Sequence, residues 1–259
     1  MTGRRIVVMA RHGESEWSKN NVFCGWYDSL LSDRGVNEAR ECGSLLKEFD
    51  YKFDRVYTSL LTRAHQTLKI ITDHIEQPDI LVEESWRLNE RHYGALTGYN
   101  KAELAEKYGE KQVQVWRRSF DVLPPPMEPN HKYYKAIWCN PKIVTASYSL
   151  NEKFPSTESL KETMERVIPY WDNVIAPNVR RGQRVLIVAH GTVLRSLVKY
   201  LDGISNYDIC SINIPSGIPF VYEFDENMKV MSSKRFLGDK KRVEEGIARA
   251  ASIGTTMPR

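Results

Sequence analysis

Four cysteines in 259 residues, Cys24, Cys42, Cys139 and Cys210, are too few and too scattered for a disulfide scaffold. No Cys-x-x-Cys pair occurs, and no histidine lies near a cysteine at metal-ligand spacing, so we expect reduced thiols and no structural zinc. Long apolar runs are also missing. The run behind Arg4 and Arg5 is only Ile6 to Ala10, too short for a signal-peptide core, and no stretch approaches a membrane span. Lys and Arg exceed Asp and Glu by only four, and no basic block is interleaved with aromatics in the manner of a nucleic-acid site. These absences lead us to expect a cytoplasmic protein with no nucleic-acid or membrane partner, whose mild positive charge suits small anions. A composition of 41% hydrophobic and 27% charged residues suffices for one generous α/β domain.

What is present begins with Ile6-Val7-Val8-Met9-Ala10 running into Arg11-His12-Gly13-Glu14-Ser15. A short apolar run ending in a polar, glycine-containing turn reads as a buried parallel strand that delivers its last residues to the carboxyl edge of a sheet, where open α/β folds bind ligands. The same layout recurs at Val185 to Ala189, followed by His190-Gly191. No other internal repeat is found. Between them, Asp54 to Thr58 reads as a strand, and Ser59 as the N-cap of a helix with the stripe Leu61, Ala64, Leu68, Ile71, Ile75. Arg63 lies in its first turn, off the stripe, where a cation is unfavourable against the helix dipole unless a phosphate intervenes.

The spacing also predicts a helix behind Asp33-Arg34-Gly35, a short strand at Ile80 to Val82, one helix over Lys101 to Trp116 ending in Arg117-Arg118, and a helix capped by Ser156 with a kink at Pro169. Ile218 to Phe224 and Lys229 to Met231 read as an edge hairpin. The expected architecture is a three-layer α/β sandwich: a mostly parallel central sheet, helices on both faces, and an antiparallel edge. We take 1–259 as a single domain, with a lid or insertion at about 120–155 and a mobile tail from about 238.

With the two strand ends side by side, His12, His190, Arg11 and Arg63 surround one phosphoryl group. A neutral imidazole is a competent nucleophile toward phosphorus, the guanidinium groups match the equatorial oxygens, and this chemistry needs no metal. Glu90, within the aromatic and charged segment Trp86 to Gly94, is placed to protonate a leaving oxygen and take the proton back.

Taken with Phe23-Cys24-Gly25-Trp26, Thr58-Ser59-Leu60-Leu61-Thr62-Arg63-Ala64, Glu90 to Gly94, Arg117-Arg118-Ser119-Phe120 and Glu158-Ser159-Leu160, these motifs make the chain resemble the histidine phosphatase superfamily, and within it the 2,3-bisphosphoglycerate-dependent phosphoglycerate mutases. The resemblance implies interconversion of 3- and 2-phosphoglycerate through a phosphohistidine at His12, primed by 2,3-bisphosphoglycerate as cofactor. It implies Glu90 as acid and base, and Arg11, Arg63 and His190 as the phosphate clamp. Ser18, Cys24, Gly25, Arg91, Tyr93, Lys101, Arg117, Arg118, Gly191 and Thr192 are implied to hold the phosphoglycerate. Relatives assemble as homodimers or homotetramers. The chain departs from the pattern at Ser18 and Thr192, where the family carries Asn, at Cys24, where mutases carry Ser or Thr, and at 140–148, which lacks the usual Arg-rich segment. A bisphosphoglycerate mutase acting as synthase or phosphatase, and a phosphate-binding relative without turnover, are the alternatives.

Overall fold

The computed structural model describes residues 4–150 and 154–252. Six strands form one sheet: β1 (Arg5–Arg11), β2 (Arg55–Thr58), β3 (Val82–Glu84), β4 (Val185–Ala189), β5 (Phe220–Phe224) and β6 (Val230–Phe236), in the spatial order β3-β2-β4-β1-β5-β6. The first four are parallel, and the hairpin β5–β6 makes the antiparallel edge beside β1. In chain order the helices are α1 (Glu16–Lys19), α2 (Asp33–Glu48), α3 (Thr62–His74), α4 (Lys101–Tyr108), α5 (Glu110–Arg118), α6 (Tyr134–Trp138), α7 (Pro141–Leu150), α8 (Leu160–Tyr170), α9 (Ala176–Arg180), α10 (Gly191–Asp202) and α11 (Lys240–Ser252).

Side chains alternate across a strand, so each strand feeds two cores. Val7, Met9, Val185, Ile187 and Ala189 pack with Val167 of α8 and Leu194, Leu197 and Val198 of α10. Val8, Ala10, Leu186 and Val188 pack on the opposite side with Cys42 and Leu46 of α2 and Leu68 and Ile71 of α3. This is the expected three-layer sandwich.

Several local expectations shift. β3 begins at Val82, and the helix predicted over Lys101 to Trp116 is broken at Gly109, whose φ of 85° lies in the left-handed region that glycine tolerates. The helix after Pro155 is capped by Ser159, in a capping box with Glu162, and not by Ser156. Pro169 sits at the end of α8, where a wider π-helical turn, Trp171–Ile175, follows; the missing donor loosens the ladder there. Within 120–155, α6 and α7 lay Ile137 and Ile143 against Trp26, Trp86 and Met127. Of the tail expected from about 238, Lys240–Ser252 form α11, in which Arg242 pairs with Glu41 of α2 at 2.7 Å and the Ala250 carbonyl accepts from Arg118 at 3.1 Å; residues 253–259 lie outside the described residues. No helix among the described residues is long and apolar enough to cross a membrane.

Candidate active site

The parallel ladder of β1 and β4 sets Arg11 opposite Ala189, and the His12 backbone N–H continues it by donating to the Ala189 carbonyl at 3.0 Å. His12 and His190 therefore leave adjacent strands at the same level. Their ring centroids stand 4.8 Å apart. Directly behind His12 the chain makes a close backbone crossing: a Cβ at Gly13 would lie 2.1 Å from the Gly35 carbonyl oxygen, and one at Gly35 would lie 1.9 Å from that of Glu14. Only glycine fits at either position.

His12 Nδ1 lies 2.6 Å from the Gly13 carbonyl, and a carbonyl can only accept, so Nδ1 carries the proton and Nε2 presents the lone pair. Arg63 donates from Nε to that Nε2 at 3.3 Å, and its other nitrogens are fixed by the carbonyls of Tyr27 and Gly25 at 3.0 and 2.8 Å. Burial, then Arg63 and Arg11, hold the His12 imidazole well below its ordinary range, so it is neutral near pH 7. His190 is depressed by burial and by Arg63 in the same way. Its Nε2 meets the Ser59 hydroxyl at 2.7 Å, while Nδ1 is buried and unpartnered. The expected N-cap of α3 is thus used otherwise. The helix starts instead at Thr62, whose backbone N–H and hydroxyl both reach the Asp28 carboxylate at 2.7 Å.

Next to His12 is a cavity of about 110 Å³. Arg11, Arg63, Glu90, Tyr93, Lys101, Arg117, Arg118, Gly191 and Thr192 all line it, as do Ser18, Cys24 and Gly25. Glu90 is the one carboxylate among the lining residues, and its Oε1 accepts from the backbone N–H of Arg91 at 2.8 Å and of Thr192 at 3.3 Å. Its loop rests on a buried ion pair: Arg166 meets Glu158 at 2.6 and 2.9 Å and donates to the carbonyls of Arg87 and Glu90 at 2.7 and 3.2 Å. Glu158 in turn accepts from the His92 N–H at 2.7 Å.

Of the residues implied to hold the substrate, Ser18 lines the cavity and Arg91 does not. Arg91 stands behind the wall, not in it, with its guanidinium carbon 4.6 Å from the Tyr93 ring centroid and one nitrogen on the Arg117 carbonyl at 2.5 Å. It positions the wall rather than forming it. Ser18 reaches the cavity, but its hydroxyl closes the capping box of α1 with Ser15. Conversely, Arg195, Asn213, Ile214 and Ala250 line the cavity and were not anticipated. Burial, with Arg117 next in weight, pulls the Lys101 ammonium down to about 7. Among the described residues, no group of three or more His, Cys, Asp or Glu is placed to hold a metal ion.

The sequence pattern of the histidine phosphatase superfamily, branch 1, matches residues 7–136 and 142–234. The chain belongs to this superfamily. Solved structures of similar fold include a phosphoglycerate mutase from Bacillus anthracis, 21% identical with TM-score 0.63, covering 95% of this chain and 97% of that one. An alpha-ribazole phosphatase from Shigella flexneri is 20% identical with TM-score 0.61, covering 90% and 96%. A mycobacterial glucosyl-3-phosphoglycerate phosphatase is 19% identical with TM-score 0.65, covering 90% and 96%. At such identities the likeness speaks to the fold. His12, Arg63 and Glu90 line the cavity, while His190, fully buried, stands beside His12 and is not part of its lining.

Proposed function

We propose that this histidine phosphatase superfamily member is a phosphoglycerate mutase that interconverts 3- and 2-phosphoglycerate. The observation that carries this reading is the charge of the cavity. Arg11, Arg63, Lys101, Arg117, Arg118 and Arg195 line it, Glu90 is its one carboxylate, and none of the six cations is in an ion pair among the described residues. A simple phosphomonoester needs cations at its phosphorus alone. Cations reaching further along the cavity suit a substrate anionic at both ends, and guanidinium forks match carboxylate and phosphate alike.

The same surplus of positive charge fits 2,3-bisphosphoglycerate, which when bound supplies the phosphoryl group that loads His12. In the transfer, His12 Nε2 gives up that phosphoryl group to the free hydroxyl of a phosphoglycerate, and Glu90 takes the hydroxyl proton. His12 is then reloaded by the other phosphoryl group, and Glu90 returns the proton to the oxygen that leaves. His190 Nδ1, Arg11 and Arg63 hold the equatorial oxygens throughout. Assembly into a homodimer or homotetramer belongs to this reading; edge strand β3 leaves Val82 exposed for such a contact.

The test is conversion of 3- to 2-phosphoglycerate by dephosphorylated protein, followed by ³¹P NMR with and without 2,3-bisphosphoglycerate. The expected result is isomerisation only after priming. Release of inorganic phosphate without the isomer would make the chain a phosphatase, and no phosphoryl gain on His12 would leave it a binding protein.

A further inference from the structure

One cation of the cavity, Arg195, is not among the residues implied to hold the substrate. Arg195 lies on α10, three residues beyond Thr192 and therefore on the same helix face, with 5% of its surface exposed. We propose that Arg195 contacts the substrate and selects for it, gripping the oxyanion at the end remote from the phosphoryl group on His12. This inference rests on the phosphoglycerate reading and deepens it.

Three observations support the assignment. Arg195 lines the cavity, yet its Nε is sealed from solvent without a partner. A guanidinium buried with no anion is unfavourable unless something that binds there provides one. Its strongest charge neighbours also differ from those of His12. After burial, Arg118 and Arg91 act on it most strongly, whereas His12 feels Arg63 and Arg11. Finally, its visible hydrogen bond, from Nη2 to the Ile209 carbonyl at 2.7 Å, does not explain the residue type. Any single donor could satisfy that carbonyl. The bond occupies a donor of Nη2 and leaves Nε without an acceptor, a donor that an incoming oxyanion would satisfy.

A carboxylate and a second phosphate share this chemistry, and ligands that differ at one end separate them. We would titrate wild-type protein, Arg195→Gln and Arg195→Lys by calorimetry with 3-phosphoglycerate, glycerol 3-phosphate and inorganic phosphate. Glycerol 3-phosphate keeps the phosphate and lacks the carboxylate. Losing one charge-assisted contact should weaken 3-phosphoglycerate binding to R195Q about tenfold or more, with glycerol 3-phosphate and phosphate changing less than about twofold. Arg195→Lys keeps a charge and a donor for Ile209 but not the fork, so it should fall between the two and remain folded if R195Q does not.

An equal loss for all three ligands, or none for 3-phosphoglycerate, overturns the inference. A wild-type protein that binds 3-phosphoglycerate no better than glycerol 3-phosphate sinks the phosphoglycerate reading and the inference with it. A wild-type preference that R195Q retains overturns the inference alone. Titrated as a fourth ligand, 2,3-bisphosphoglycerate should lose affinity in R195Q together with 3-phosphoglycerate, and a loss for the bisphosphate alone overturns the inference.

Discussion

Arg63 donates from Nε to His12 Nε2 across 3.3 Å, so a guanidinium holds the lone pair that would attack phosphorus. Arg63 is also the largest influence after burial that depresses the His12 imidazole. Arg63→Met should therefore raise the His12 pKa, read from the pH dependence of its ring protons by NMR. The same variant should lose phosphoryl transfer, since the equatorial oxygens lose a fork. His12→Ala should gain no acid-labile phosphoryl group and should lose activity by about 10⁴-fold or more. An unchanged His12 titration in Arg63→Met would show that burial alone sets it.

Glu90→Gln keeps an oxygen for the Arg91 and Thr192 N–H groups but cannot carry the proton. We expect kcat to fall by roughly 10²–10⁴ with KM little changed. Steady-state kinetics check this, and a loss confined to KM would make Glu90 a binding residue.

The Glu158–Arg166 pair is almost wholly buried, with side-chain exposures of 1% and 7%. Arg166→Met strands the Glu158 carboxylate and should destabilise the fold by about 3–5 kcal/mol in urea unfolding. Replacing both partners with Met should cost less than the single change. Because Arg166 also holds the Arg87 and Glu90 carbonyls, both variants should lose activity beyond what unfolding explains.

Burial, then Arg117, pulls the Lys101 ammonium in the folded chain from its ordinary 10.5 down to about 7. Between these values the unfolded state binds the extra proton, so the Lys101 contribution to stability is full above about pH 10.5 and is lost as pH falls from there to about 7. Lys101→Met should flatten that rise in unfolding curves measured across the window. An anion in the cavity favours the ammonium, so binding at pH 8 should take up a proton, measurable by calorimetry in buffers of different ionisation enthalpy. Lys101→Met should abolish most of that uptake.

The paired histidines were legible because each is encoded locally, as an apolar run that must be a buried strand followed by His-Gly. The start of α3 was not. Its cap comes from Asp28, a loop residue distant in sequence, while the nearby Ser59 turns to His190. The break at Gly109 was hidden by helical spacing on both sides of it. Ser159 with Glu162 carried a capping-box signature, which the earlier Ser156 obscured. Arg195 was invisible for a different reason: it shares its helix with Lys199, and nothing in the sequence says which of the two cations borders a cavity.

The ladder between β1 and β4 has a consequence for how reactivity arises. β4 is made far downstream of β1, and a ribosome exposes it late. An emerging chain thus carries His12 long before it has the neighbouring strand, and the imidazole stays an ordinary solvated base until both ends of the polypeptide have met. On the proposed reading, phosphate uptake on His12 would report that β4 has joined the sheet beside β1.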